Sequence, residues 1–216
     1  MATIKTIRLG ACNSYLVMER KAILVDFGYP GHEKKLLRAL AAEGVAPGDV
    51  SMLFLTHGHV DHFGSLYALK QYIDAPIALF EPDVEYFLSG TQAKLVPVTP
   101  FAHVATAIGK NFVVKRRYGI VPELVFTDEL DLADYGVDGR IIPTPGHTLG
   151  SSSLVLADGR ALSGDAVFHR FLCFGPLSPP PFLRSAKLHA ASMERLYAAG
   201  AHTFYPGHGR PLSVVK

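Results

Sequence analysis

Tryptophan is absent from the 216 residues, and cysteine occurs only twice, as Cys12 and Cys173. Two thiols in a chain of this length cannot form a disulfide framework, and neither belongs to a Cys-x-x-Cys metal pair. Each reads as a small buried apolar residue, and a reducing cytoplasm is the expected compartment. An excess of either charge is lacking too. Lysine and arginine number 21 against 19 aspartates and glutamates, a net charge of +2. That balance gives no electrostatic ground for nucleic acid or an anionic membrane as partner. Nor is there an apolar run approaching the roughly 20 residues that span a bilayer. The start, Met1-Ala2-Thr3-Ile4-Lys5, has no basic region followed by an apolar one, so no secretory signal is expected. Low-complexity tracts are missing, which argues against long disorder.

What is present is a core and an unusual number of histidines. Hydrophobic residues make up 49% of the chain, enough for one large domain over 1–216. Ile4–Leu9, Ser14–Met18 and Ala22–Asp26 read as a strand meander. Glu33–Glu43 has helical spacing of Leu36, Leu37 and Leu40, and Gly44 ends it. Ser51–Thr56 and Ile77–Phe80 suit buried strands, with a helix starting at Ser65 between them. Prolines 82, 97, 100 and 122 break up residues 81–125, which read as an insertion or lid containing one helix, Phe101–Phe112. The second half repeats the pattern: strands at Leu124–Phe126, Gly139–Pro143, Ser153–Ala157 and Arg160–Ser163, a helix at Ala186–Ala199, and a last strand at His202–Pro206. Two strand-rich halves with outer helices imply an α/β sandwich of two facing sheets.

Of the ten histidines, half fall in short clusters rich in glycine or aspartate. His57-Gly58-His59-Val60-Asp61-His62 follows a buried strand and packs four metal-type ligands into six residues. Side chains two apart on an extended segment point the same way, so His57 and His59 can reach one ion together. Asp61 and His62 lie where the chain turns toward a helix and face a second position. Three later segments each offer one more ligand beside glycine: His147 in Pro145–Gly150, Asp165 in Ser163–Ala166, and His208 in Pro206–Gly209. Imidazole and carboxylate together suit zinc, while iron and manganese accept the same donors.

This order of motifs resembles the metallo-β-lactamase superfamily, and the resemblance runs from the meander near Ile4 to Gly209. It implies a four-layer αββα sandwich with the site at one edge of the sheets. It also implies that His57, His59 and His147 hold one divalent metal, that Asp61, His62 and His208 hold a second, and that Asp165 bridges them. Asp61 and Asp165 would then be the catalytic carboxylates. Asp26 resembles the aspartate that ends an early strand in this family; it would orient a ligand imidazole or cap its turn. The implied chemistry is hydrolysis of a small-molecule ester, thioester or lactone by metal-activated water. An iron-dependent oxidoreductase akin to the persulfide dioxygenases, or a phosphodiesterase, uses the same scaffold. Because Asp165 is present, the chain looks more like the glyoxalase II and lactonase branches. Only 51 residues follow Asp165, so the helical glutathione domain of glyoxalase II is not expected. His169 lies within reach of a substrate, whereas His32, His103, His189 and His202 read as ordinary. Lys115-Arg116-Arg117 reads as a solvated face or an anion grip. The apolar stretch Phe171–Leu183 reads as a packed loop, a substrate-pocket wall or a homodimer contact.

Overall fold

Strands alternate their side chains between two faces, and in this chain both faces of each sheet are covered. The computed structural model describes residues 1–109, 120–169 and 180–214. The first sheet consists of β1 (Thr3–Leu9), β2 (Cys12–Met18), β3 (Ala22–Val25), β4 (Val50–Phe54), β5 (Ile77–Phe80) and β6 (Leu124–Phe126), side by side in chain order. β1 to β3 form an antiparallel meander, and β3 to β6 run parallel. Parallel neighbours need crossovers. These carry α1 (Glu33–Ala42) before β4, then α2 (Val60–Phe63) and α3 (Leu66–Leu69) before β5. Two more helices, α4 (Val84–Ser89) and α5 (Pro100–Gly109), precede β6.

The second sheet is built from β7 (Leu130–Asp131), β8 (Gly139–Pro143), β9 (Ser152–Leu156), β10 (Arg160–His169), β11 (Thr203–Gly209) and β12 (Leu212–Ser213). Its strands are antiparallel except for β10 and β11, which run parallel around α6 (Ala186–Ala198). Among the described residues no helix is long and apolar enough to cross a membrane.

Side-chain alternation fixes the layering. Ile23, Val25, Met52 and Phe54 point from the first sheet onto Ile141, Leu154, Leu156 and Leu162 of the second. Leu24, Leu53 and Leu55, on the opposite face, meet Leu36 and Leu40 of α1 and Leu66 and Leu69 of α3. Ile142, Val155, Ala161 and Phe204 face Leu196 of α6. The order is helix, sheet, sheet, helix, the four-layer αββα sandwich that the sequence leads one to expect.

Two local expectations need correction. Asp61 and His62 lie in a short helix of their own, α2, rather than in a turn leading to the helix expected from Ser65. Asp165 and His208 lie inside β10 and β11 rather than beyond their ends. The reason is that β10 and β11 continue pairing, Phe168 with His208 and His169 with Gly209, past a register shift at Gly164. Gly164 takes φ 48°, where a glycine escapes the Cβ penalty. Of residues 81–125, the first part packs inward: Asp83 and Phe87 are fully buried. Helix α5 matches the expected Phe101–Phe112 as far as Gly109, and the remainder, with Lys115–Arg117, lies outside the described residues. Of the apolar Phe171–Leu183 stretch only Pro180–Leu183 is described.

Candidate metal centre

All seven candidate side chains meet at one edge of the sandwich. His57 follows β4 after Leu55 and Thr56; His59 caps α2; Asp61 and His62 sit on α2; His147 lies in the β8–β9 loop; Asp165 and His208 come from β10 and β11. They form overlapping groups: His57, His59 and His147; His57, His62 and Asp165; and Asp61, His62 and His208. Within each group the nearest ligand atoms lie within 4.8 Å of one another. Six of the seven are buried, and Asp61 keeps 20% of its side chain exposed.

The outer nitrogen of every ring faces an acceptor. His59 Nε2 donates to the Ala93 carbonyl at 3.1 Å, His147 Nδ1 to Phe182 at 2.8 Å, and His208 Nδ1 to Ala11 at 2.8 Å. His62 Nδ1 donates to Asp26 Oδ2 at 2.8 Å. His57 Nδ1 faces Thr56 Oγ1 at 3.0 Å, and that hydroxyl already gives its proton to the Asp26 carboxylate at 2.9 Å. The ring must therefore donate. Carbonyls and carboxylates only accept, so each outer nitrogen carries a hydrogen, and a ring with no second proton turns a lone pair inward.

The inward atoms crowd together. His59 Nδ1 stands 3.0 Å from His57 Nε2 and 2.9 Å from His147 Nε2. Lone pairs at that distance repel unless a positive charge stands between them. Nitrogens around a tetrahedral zinc, at 2.0–2.1 Å from the ion, lie about 3.3 Å apart, close to this spacing. Burial holds all three rings neutral: it lowers the pKa of His57 and His147, with their histidine neighbours contributing, and brings His59 down to about 3. His62 Nε2 and Asp165 Oδ1 are buried with no hydrogen-bond partner, 3.5 Å from each other. Asp165 Oδ2 lies 3.4 Å from both His147 Nε2 and His208 Nε2, so this carboxylate touches both ends of the cluster. Asp61 Oδ2 lies 3.3 Å from His208 Nε2. The donor set fits two divalent cations.

Asp26 orients rather than merely caps. Its carboxylate is buried and accepts from Thr56 N at 2.9 Å as well as from Thr56 Oγ1 and His62. It adopts φ 56°, the single positive φ among the described non-glycine residues. Asn13 is a second support that sequence reasoning missed. Its amide donates to Pro206 O at 2.9 Å and Gly209 O at 3.1 Å, bracketing His208. Gly207 leaves space for the cluster itself: a Cβ there would overlap Asp165 Oδ1 and stand 2.7 Å from His62 Cε1. Asp83 was missed as well, since nothing in Phe80-Glu81-Pro82-Asp83 distinguishes it from a surface acid. His169 is in none of the three ligand groups and hydrogen bonds Arg210 O at 3.0 Å. His32 caps α1, His103 is exposed, His202 hydrogen bonds Asp158 O, and half-buried His189 packs near His147.

Comparison with known proteins speaks to family and fold. A probable metallo-hydrolase from Methanocaldococcus jannaschii is 28% identical over 72% of this chain and 67% of its own. The metallo-beta-lactamase domain-containing protein 1 of Xenopus laevis is 43% identical over 93% of this chain and 72% of its own. The chain thus spans about two thirds of the archaeal relative's length, and shorter mammalian matches cover as little as 18% of theirs. Among solved structures, the BLEG-1 B3 metallo-beta-lactamase superposes with a TM-score of 0.70 at 20% identity, over 98% of this chain and 94% of that one. At that identity the likeness speaks for the fold. The metallo-beta-lactamase superfamily profile matches residues 7–208, and with the site assembled in that order, this chain belongs to the metallo-beta-lactamase superfamily.

Proposed function

We propose that the chain is a metallo-hydrolase acting on an ester, thioester or lactone of a small molecule. In this reading His57, His59 and His147 hold one divalent cation, Asp61, His62 and His208 a second, and Asp165 touches both. The observation that carries the proposal is the set of five imidazoles, each pinned by its outer nitrogen and aimed inward at two carboxylates. Pinned rings bind without first losing rotational freedom, and the partner on the outer nitrogen strengthens the inner one as a donor. Zinc fits the donors best, and iron or manganese would also be held. Bound there, the cations supply Lewis acidity and lower the pKa of water from 15.7 toward about 7.

The side chains do the rest. Asp165 cancels charge between the two groups and holds them at a fixed separation. Asp61, partly exposed, is the carboxylate placed to accept a hydrogen bond from an attacking water. Burial favours its proton, but His62 and His208 together outweigh that, so Asp61 stays ionised. In the test, the metal-loaded protein and His59→Ala are compared on ester, thioester, lactone and phosphodiester probes. The expected result is turnover of a carbonyl probe that falls about 10²–10³-fold in the variant. Equal rates, or turnover of the phosphodiester alone, would overturn the reading.

The two groups differ in proton affinity, which gives a second expected result. Burial lowers the pKa of His62 and His208, yet Asp26, Asp165 and Asp61 raise His62 to about 9, and Asp165 and Asp61 carry His208 well above its usual value. The three-histidine group is neutral at pH 7. Loading it will release almost no protons, whereas the second group must lose about two. Affinity at the second position will therefore climb with pH, by as much as ~100-fold per unit while both rings are protonated and more gently past about 9, where His62 gives up its proton. Calorimetric titration in buffers of different ionisation enthalpy counts the protons. Equal release in both steps contradicts this division.

A further inference from the structure

We propose that Asp83 is a positioning residue for the three-histidine group, a single buried carboxylate that holds the His57–His59 loop and the His147 loop in register. Asp83 sits between β5 and α4 and is fully buried. Its Oδ2 accepts from Gly58 N at 2.7 Å and from Thr148 Oγ1 at 2.7 Å, and its Oδ1 accepts from Gly150 N at 3.0 Å. Gly58 separates His57 from His59, and Thr148 follows His147 directly. One side chain thus ties two loops about 90 residues apart in sequence, His59 to His147 being 88, whose inward nitrogens must converge on a common point.

The neighbouring glycines make room for it. A Cβ on Gly58 would stand 3.2 Å from both Asp83 Cβ and Oδ2, and one on Gly150 would stand 2.5 Å from Asp83 Cβ. The carboxylate is not explained by its own helix. Asp83 stands at the N-cap of α4, yet its side chain makes no cap hydrogen bond. A buried carboxylate is costly to keep unless it is fully hydrogen bonded, and here every hydrogen bond goes to the two histidine loops. Among the described residues none goes to Asp61, His62, Asp165 or His208. Its influence therefore falls on one metal position and not the other.

This inference rests on the reading that His57, His59 and His147 hold a metal, and the test separates the two. Metal-free wild type, Asp83→Asn, Thr148→Val and the reference His59→Ala are titrated with cobalt(II). Visible absorption and a competing chelator give the spectrum and affinity of each site, and thermal unfolding of the metal-free forms is recorded alongside. An asparagine must turn its amide N–H toward at least one of the three donors. The expected result is a ~10–100-fold weaker first site in Asp83→Asn, the range seen when a ligand's outer partner is lost. The altered absorption band is the one missing in His59→Ala, and the second site holds its affinity. Thr148→Val, which removes one donor of three, weakens the same site by a smaller factor. Unchanged affinity and spectrum in Asp83→Asn, or equal weakening of both sites, overturns the proposal. If Asp83→Asn does not fold, an unchanged first site in Thr148→Val overturns it. Wild type that takes up no cobalt instead overturns the underlying metal reading, before any variant is compared.

Discussion

Asp165→Asn will cost the enzyme about 10²–10⁴ in kcat/KM while the chain stays folded. The residue is buried, with oxygens 3.4–3.5 Å from His62, His147 and His208. Asparagine has nearly the same shape, so packing against Gly207 survives, and what disappears is one negative charge. Removing one preorganised electrostatic group from an active site costs about 10²–10³ in rate, and a weaker grip on the metal adds about 10-fold or more, which together give the range stated. Burial works against the carboxylate, but His208, His62 and His147 together favour it and hold its pKa well below the usual range, so the charge is present throughout the working pH range. Elemental analysis beside steady-state kinetics checks the prediction. A variant that binds two metals and keeps a tenth of the wild-type rate would show that the carboxylate is dispensable.

The second large effect is expected at Asp26. Asp26→Ala strands Thr56 N, Thr56 Oγ1 and His62 Nδ1 without their acceptor in a buried pocket. Leaving these donors unpaired will cost about 3–5 kcal/mol of stability, read as a lower denaturation midpoint with an unchanged slope. Asp26→Asn separates the causes. Asparagine tolerates positive φ about as well as aspartate, so the backbone at φ 56° is kept. Its amide nitrogen, however, must face a donor on one side. If that donor is His62, the ring can no longer present the same tautomer to the cluster. A metal-affinity loss of ~10–100-fold is then expected with a smaller stability loss, about 1–3 kcal/mol. If Asp26→Asn keeps native affinity, the carboxylate serves the backbone alone.

The cluster was legible because metal chemistry restricts both residue type and spacing. His57-x-His59-x-Asp61-His62 after a buried run admits few other readings, and the glycines beside His147, Asp165 and His208 mark backbone that approaches closely. The layering was legible from period-two patterning, since Ile23 and Leu24 must face opposite ways. Strand limits near the site were not. Gly164 and Gly207 look like interruptions in sequence, but they fall where the β10–β11 register shifts before pairing resumes at Phe168 and His208. Asp83 and Asn13 were illegible for another reason. Most of their partners are main-chain groups, of Gly58, Gly150, Pro206 and Gly209, and every residue has such groups. Asp26 was half legible: its place at a strand end was plain, but the choice between capping the turn and steering His62 needed the 2.8 Å contact.

His57, His59, Asp61 and His62 hang from the first sheet, whereas His147, Asp165 and His208 hang from the second. Whatever cation they grip is therefore a rivet through the open edge of the sandwich. It would resist the two slabs prying apart there, as the interior greases the rest of their contact. Resistance to splitting at that seam would then fall as a chelator strips the cations away.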